Sequence, residues 1–76
     1  MKLETVYKNL TEGLRDQYTR GQKQHIRRRL EEIAEENNLS YEELDSYCYM
    51  DSDEMFSCIF DNKPFDVANF AFWEPF

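Results

Sequence analysis

Apolar residues recur at helical spacing through most of the chain. Leu3, Val6, Tyr7, Leu10, Leu14 and Tyr18 fall on one face of a helix over residues 3–18. Gly13 weakens that helix and marks where it bends or splits. Ile26, Leu30, Ile33 and Ala34 define a second helix over residues 20–37. Its start is signed by Thr19 and Gln22, the spacing of a capping box, in which each side chain satisfies a backbone N–H of the other. The two helices are expected to pack antiparallel through these faces. Asn37-Asn38 ends the second helix, because asparagine tolerates the left-handed cap conformation.

Ser40 and Glu43 repeat the capping-box signature and open a third helix. Asp51 or Ser52 caps a fourth, whose apolar face is Met55, Phe56, Ile59 and Phe60. Asp61-Asn62-Lys63-Pro64 reads as a turn, with Pro64 suited to the first position of a last helix over residues 65–73. The fold class that follows is all-α, a single-domain bundle of four to five short helices. Leu30, Ile33, Ala34, Asn38, Leu39, Ser40, Leu44 and Tyr47 together resemble a helix-turn-helix, within residues 30–49. Any tight corner between two helices gives much the same pattern. The positions that would face a DNA groove are Ser40, Tyr41, Glu42, Asp45, Ser46 and Tyr49. None is basic, and carboxylates are repelled by phosphates. The segment thus has the shape of a DNA reader without the charge of one.

Charge divides the chain. Net charge is −7. Residues 1–38 hold eight Lys/Arg against seven Asp/Glu, whereas residues 39–76 hold one lysine against nine acids. Ten of the twelve aromatics also lie in the second half. An acidic, aromatic half argues against direct contact with nucleic acid or an anionic membrane. Within the second helix the order is unusual. Lys23, His25, Arg27, Arg28 and Arg29 precede Glu31, Glu32, Glu35 and Glu36, against the preference of the helix dipole. Arg27–Glu31 and Arg28–Glu32 are spaced to pair along the helix, in the weaker orientation. Two readings follow: a solvated, salt-bridged face, or charge placed for a partner.

Candidate chemistry adds little. Cys48 and Cys58 are ten residues apart, with no CxxC and with the lone His25 distant, so no metal site is expected. They read as reduced core thiols of a cytoplasmic protein. The carboxylate pairs Glu31/Glu35, Glu32/Glu36, Glu42/Asp45 and Asp51/Glu54 lie on short helices without the cleft that acid–base catalysis needs. Asp51-Ser52-Asp53-Glu54 opens like a calcium loop, but Phe56 occupies the sixth position, where glycine is required. No apolar run is long enough to span a membrane. The expectation is a protein that is not an enzyme and takes no cofactor.

The C-terminal half, MDSDEMFSCIFDNKPFDVANFAFWEPF, resembles a segment of small acidic, largely uncharacterised proteins of phages and mobile elements. The resemblance rests on the acidic–aromatic rhythm before Phe60 and on PFDVA. It implies a phage or plasmid context. With the small size and the charge, it suggests an inhibitor of anti-CRISPR or anti-restriction type that blocks a basic nucleic-acid-binding surface of a host protein. Acids would stand in for phosphates and aromatics for stacked bases. The candidate partner-binding residues are Glu42, Asp45, Tyr49, Asp51, Asp53 and Glu54, of which Glu42, Asp45, Asp51 and Asp53 are expected to be exposed. A second candidate patch is Phe72, Trp73 and Phe76, rimmed by Asp61, Asp66 and Glu74. Two alternatives stand beside this reading. One is a helix-turn-helix-derived regulator that uses Arg27, Arg28 and Arg29. The other is an accessory protein that dimerises through its aromatic C-terminus. A monomer and a homodimer are both compatible with the sequence.

Overall fold

The capping chemistry sets the frame. In the computed structural model, which describes residues 1–70 with the Arg15 side chain excepted, four α-helices form: α1 (Leu3–Leu10), α2 (Arg20–Glu36), α3 (Tyr41–Met50) and α4 (Ser52–Phe60). There is no strand among the described residues. Thr19 caps α2, its hydroxyl accepting from Gln22 N at 3.1 Å while Thr19 N donates to Gln22 Oε1 at 2.9 Å. Ser40 and Glu43 do the same for α3, at 3.1 and 2.9 Å. Each box satisfies two N–H groups that a helix start would otherwise leave unpaired.

The end of α2 is equally local in origin. Asn38 takes φ 56°. That left-handed residue lets Leu39 N reach Ala34 O at 2.8 Å and Asn38 N reach Glu35 O at 3.3 Å, the paired bonds of a Schellman cap. Asn62, at φ 55°, turns the chain after α4.

The first helix is shorter than its apolar spacing predicts. It stops at Leu10, and only one 3₁₀ turn, Arg15–Gln17, follows before α2. Thr11 explains the stop. It is fully buried, and its hydroxyl donates to Tyr7 O at 2.8 Å, competing for the carbonyl that its own N–H also uses at 3.0 Å. Gly13 then takes φ +80°, where a side chain is strained, and the chain leaves the helical path. The break expected at Gly13 is present, but no α-helix resumes beyond it. Tyr18 therefore does not extend the α1 face. It stacks on Phe60 at 6.0 Å between ring centroids.

The last helix also differs from expectation. Pro64 does not start an α-helix, and within the described residues only the 3₁₀ turn Val67–Phe70 forms. Asp66 opens that turn, with Oδ1 accepting from Ala68 N at 3.0 Å.

One core unites the helices. Val6, Tyr7 and Leu10 of α1, Ile26, Leu30, Ile33 and Ala34 of α2, Leu44 and Cys48 of α3, and Met55, Cys58 and Ile59 of α4 are buried together with Phe70. Phe70 is sealed by Tyr47 and Phe65, whose ring centroids lie 5.4 and 5.2 Å from its own. As expected, α1 packs on α2, but its broader contact is with α3. That contact fixes which face of α3 is left to solvent. No helix among the described residues is long and apolar enough to cross a membrane.

Candidate functional site

On α3 the helical period separates two faces. Leu44 and Cys48, four residues apart, point into the core and are buried. Glu42, Asp45 and Tyr49 follow the spacing i, i+3, i+7 and share the outer face. Tyr49 is 93% exposed, the most exposed of the large hydrophobic residues among those described. Asp45 is half-buried and accepts from Asn9 Nδ2 of α1 at 3.1 Å. Glu42 accepts from the N-terminal amine at 2.7 Å, and that cation holds its carboxyl below the usual carboxylate range.

Two concavities meet at Tyr49. An open groove of about 380 Å³ runs between α1 and α3, lined by Asn9, Leu10, Glu12, Asp45, Cys48, Tyr49 and Ser52. A second, more open and mainly apolar depression is formed by Asp45, Ser46, Tyr49 and Met50. Among the described residues, no lysine or arginine lines either one. An exposed aromatic ring flanked by carboxylates is suited to holding a cation or a basic segment.

The other sequence-selected acids have different positions. Asp53 is exposed, in the first turn of α4. Asp51 is half-buried and caps α4, accepting from Glu54 N at 3.0 Å. Glu54 is turned inward: its side chain is 13% exposed and pairs with Lys63 Nζ at 2.9 Å. Its second oxygen accepts from Asn69 Nδ2 at 3.5 Å. The expectation that Glu42, Asp45, Asp51 and Asp53 stand free in solvent is therefore corrected at half-buried Asp45 and Asp51, and Glu54 joins Asp51 among the acids engaged within the fold. Both hold α4 and the segment after it in place. Phe72, Trp73 and Phe76, the sequence-predicted aromatic patch, lie outside the described residues, as does its rim residue Glu74.

The basic run is tied into the fold. Arg27 does not pair with Glu31 along the helix. It makes a two-pronged ion pair with Glu4 of α1, Nε–Oε1 2.9 Å and Nη2–Oε2 3.1 Å, and its guanidinium carbon lies 4.1 Å from the centroid of the Tyr7 ring. The Glu4 contact raises the Arg27 pKa further above its ordinary value. Glu32 pairs with Arg29 at 2.8 Å rather than with Arg28, and this lowers its carboxyl pKa. Arg29 also donates to Cys58 O at 3.3 Å, joining α2 to α4. Its Nε is buried without a partner. Arg28 Nη2 sits 3.1 Å from His25 Nδ1, and His25 Nε2 sits 2.8 Å from Ile59 O. A ring nitrogen facing a carbonyl donates and one facing a guanidinium accepts, which assigns the Nε2–H tautomer.

Both cysteines are free and buried. Burial, with Asp45 nearby, pushes the Cys48 thiol up to about 12, and burial likewise raises Cys58. No group of three or more His, Cys, Asp or Glu among the described residues is placed to hold a metal ion.

Asn9, Glu12 and Met50 join the site without having been selected from the sequence. Met50 follows from the α3 period alone. Asn9 and Glu12 have no local signal, because they reach Tyr49 only through the packing of α1 on α3. No protein-family model matches this chain, and neither curated proteins nor solved structures yield a match.

Proposed function

We propose that this chain is a protein-binding inhibitor of phage or mobile-element type, of the anti-CRISPR or anti-restriction class, that occupies a basic nucleic-acid-binding surface of a host protein. One observation carries the reading: Glu42, Asp45 and Tyr49 stand together on the outer face of α3, and among the described residues no lysine or arginine lines the concavities around the ring. Carboxylates at helical spacing substitute for phosphates, and an exposed ring substitutes for a stacked base. Asp51 and Glu54 are engaged in fixing α4 and the segment after it. The reading puts the protein in the cytoplasm, and two buried free thiols fit a reducing compartment.

The regulator reading, with DNA held by Arg27, Arg28 and Arg29, has less support. Arg27 and Arg29 are each engaged by a carboxylate of the same chain, and phosphates would have to compete for them. The geometry therefore favours the acidic face.

The test is capture of the host partner from lysate with the wild-type chain and with the triple variant Glu42→Lys, Asp45→Lys, Asp53→Lys. The expected result is a nucleic-acid-binding protein whose capture falls steeply with salt, is competed by its own nucleic acid, and is lost in the variant while circular dichroism stays helical. Salt-insensitive capture that survives the triple reversal overturns the reading. A gel shift of duplex DNA that is lost on Arg27, Arg28 and Arg29→Ala would put the regulator first.

A further inference from the structure

The molecule contains its own example of how a guanidinium is held. On α1, Glu4 and Tyr7 are three residues apart, and Arg27 of α2 lies across them, its head bonded twice by the carboxylate and stacked on the ring. The same combination stands on α3 without an arginine. Asp45 precedes Tyr49 by four residues, which puts carboxylate and ring on one face. Glu12 supplies a second carboxylate to the same groove. Tyr7 beneath its arginine is 2% exposed, whereas Tyr49 is 93% exposed. Asp45 uses Oδ1 to accept from Asn9, and no other bond occupies Oδ2 among the described contacts.

From this we infer that the groove between α1 and α3 takes an arginine side chain of the protein partner, its guanidinium stacked on the Tyr49 ring and bonded by Asp45 and Glu12. The inference rests on the inhibitor reading and names the chemistry of the residue read. Arginine fits better than lysine for three reasons. Its planar head stacks flat on a ring, it offers parallel N–H groups to a carboxylate, and it gives up its hydration at lower cost. A nucleic acid does not fit, because the groove is lined by carboxylates and by no cation among the described residues. An apolar segment would leave Asp45 and Glu12 without partners. The ring explains why a compact acidic protein keeps a large aromatic in water: a guanidinium completes the face.

The experiment uses the full chain and two short capped peptides of alternating glycine and arginine, or glycine and lysine, followed by backbone amide shifts. The arginine peptide is expected to move the amides of Asn9, Glu12, Asp45 and Tyr49, and to bind roughly fivefold tighter than the lysine peptide. Tyr49→Phe keeps that preference, because the ring face carries it. Tyr49→Ala abolishes it, and Asp45→Asn weakens arginine binding. Neither position is buried in the core, so the variants fold. Equal affinity for the two peptides overturns the inference, as do shifts spread over the exposed acids of α2 or no shift at all. Those outcomes leave the inhibitor reading standing if nucleic-acid competition and the triple reversal still behave as stated above. Failure of that competition removes the inhibitor reading whatever the peptides do.

Discussion

α2 and α3 begin with the same capping box and end up using charge in opposite ways. The arginines of α2 turn back onto the fold: Arg27 clamps Glu4 and covers Tyr7, and Arg29 bridges Glu32 and the Cys58 carbonyl. The acids of α3 sit on a face that the packing of α1 and α4 leaves to solvent, with Tyr49 among them. A basic run in a sequence is therefore not a basic surface. What decides is whether a carboxylate from another element lies within reach, and the sequence spacing of 23 residues between Glu4 and Arg27 hides that.

The comparison breaks first on the inner side of α3. Leu44→Ala is expected to destabilise the chain by about 2–5 kcal/mol, since it opens a cavity at a fully buried position. A chain this small has roughly 5 kcal/mol in hand, so urea unfolding should show a largely unfolded variant. A native midpoint would show that α3 is not anchored through this face.

Next come the arginines of α2. Arg29→Met should cost about 1–2 kcal/mol, through the lost bond to the Cys58 carbonyl and the unpaired Glu32. Arg27→Ala should cost less, about 1 kcal/mol, because its pair with Glu4 is partly exposed to solvent. Thermal melts of both, set beside Arg28→Ala, check the ranking. If all three are silent, the α2 charges are not structural and the contrast with α3 fails.

The outer face of α3 should be nearly silent in folding. Tyr49→Ala and Asp53→Asn are expected to shift stability by no more than about 0.5 kcal/mol while weakening partner capture. A large loss of stability in either would make that face part of the fold rather than a contact surface.

The smallest effect concerns acid. Glu42 and Glu32 have folded pKa values below the ordinary 4.5, set by the N-terminal amine and by Arg29 respectively. The stability each contributes is present above 4.5 and is lost as pH falls through the lowered value. The melting temperature of the wild type should therefore fall somewhat more in that acid window than that of Glu42→Gln or Glu32→Gln. Parallel curves would show that these contacts do not persist in solution.

What could be read in advance was whatever a few neighbouring residues decide. Thr19/Gln22, Ser40/Glu43 and the left-handed Asn38 act within five residues, and they fixed α2, the corner and the start of α3. The stop of α1 was missed because Thr11 has the spacing of a helix interior and only its buried back-bond to Tyr7 ends the helix. The helix expected over residues 65–73 starts instead as an irregular segment and a 3₁₀ turn, because burying Phe70 against Tyr47 and Phe65 outweighs the start signal of Pro64. In the site, Glu42, Asp45 and Tyr49 were legible from period and charge. The inward turn of Glu54 toward Lys63 and the arrival of Glu12 in the groove depend on contacts across elements, and no local pattern encodes them.

The two thiols have a practical consequence. Cys48 and Cys58 face the interior, and burial lifts both pKa values, Cys48 to about 12. With Cys58 fully buried and Cys48 showing only 4% of its surface, at the groove, a thiol reagent in neutral solution labels them appreciably only when the chain opens. Their labelling rate is then a stopwatch on opening, one from α3 and one from α4. If the two cysteines react in step, α3 and α4 part from the core together. If Cys58 reacts first, α4 peels away while α3 stays on α1, and the proposed contact face outlasts the rest of the fold.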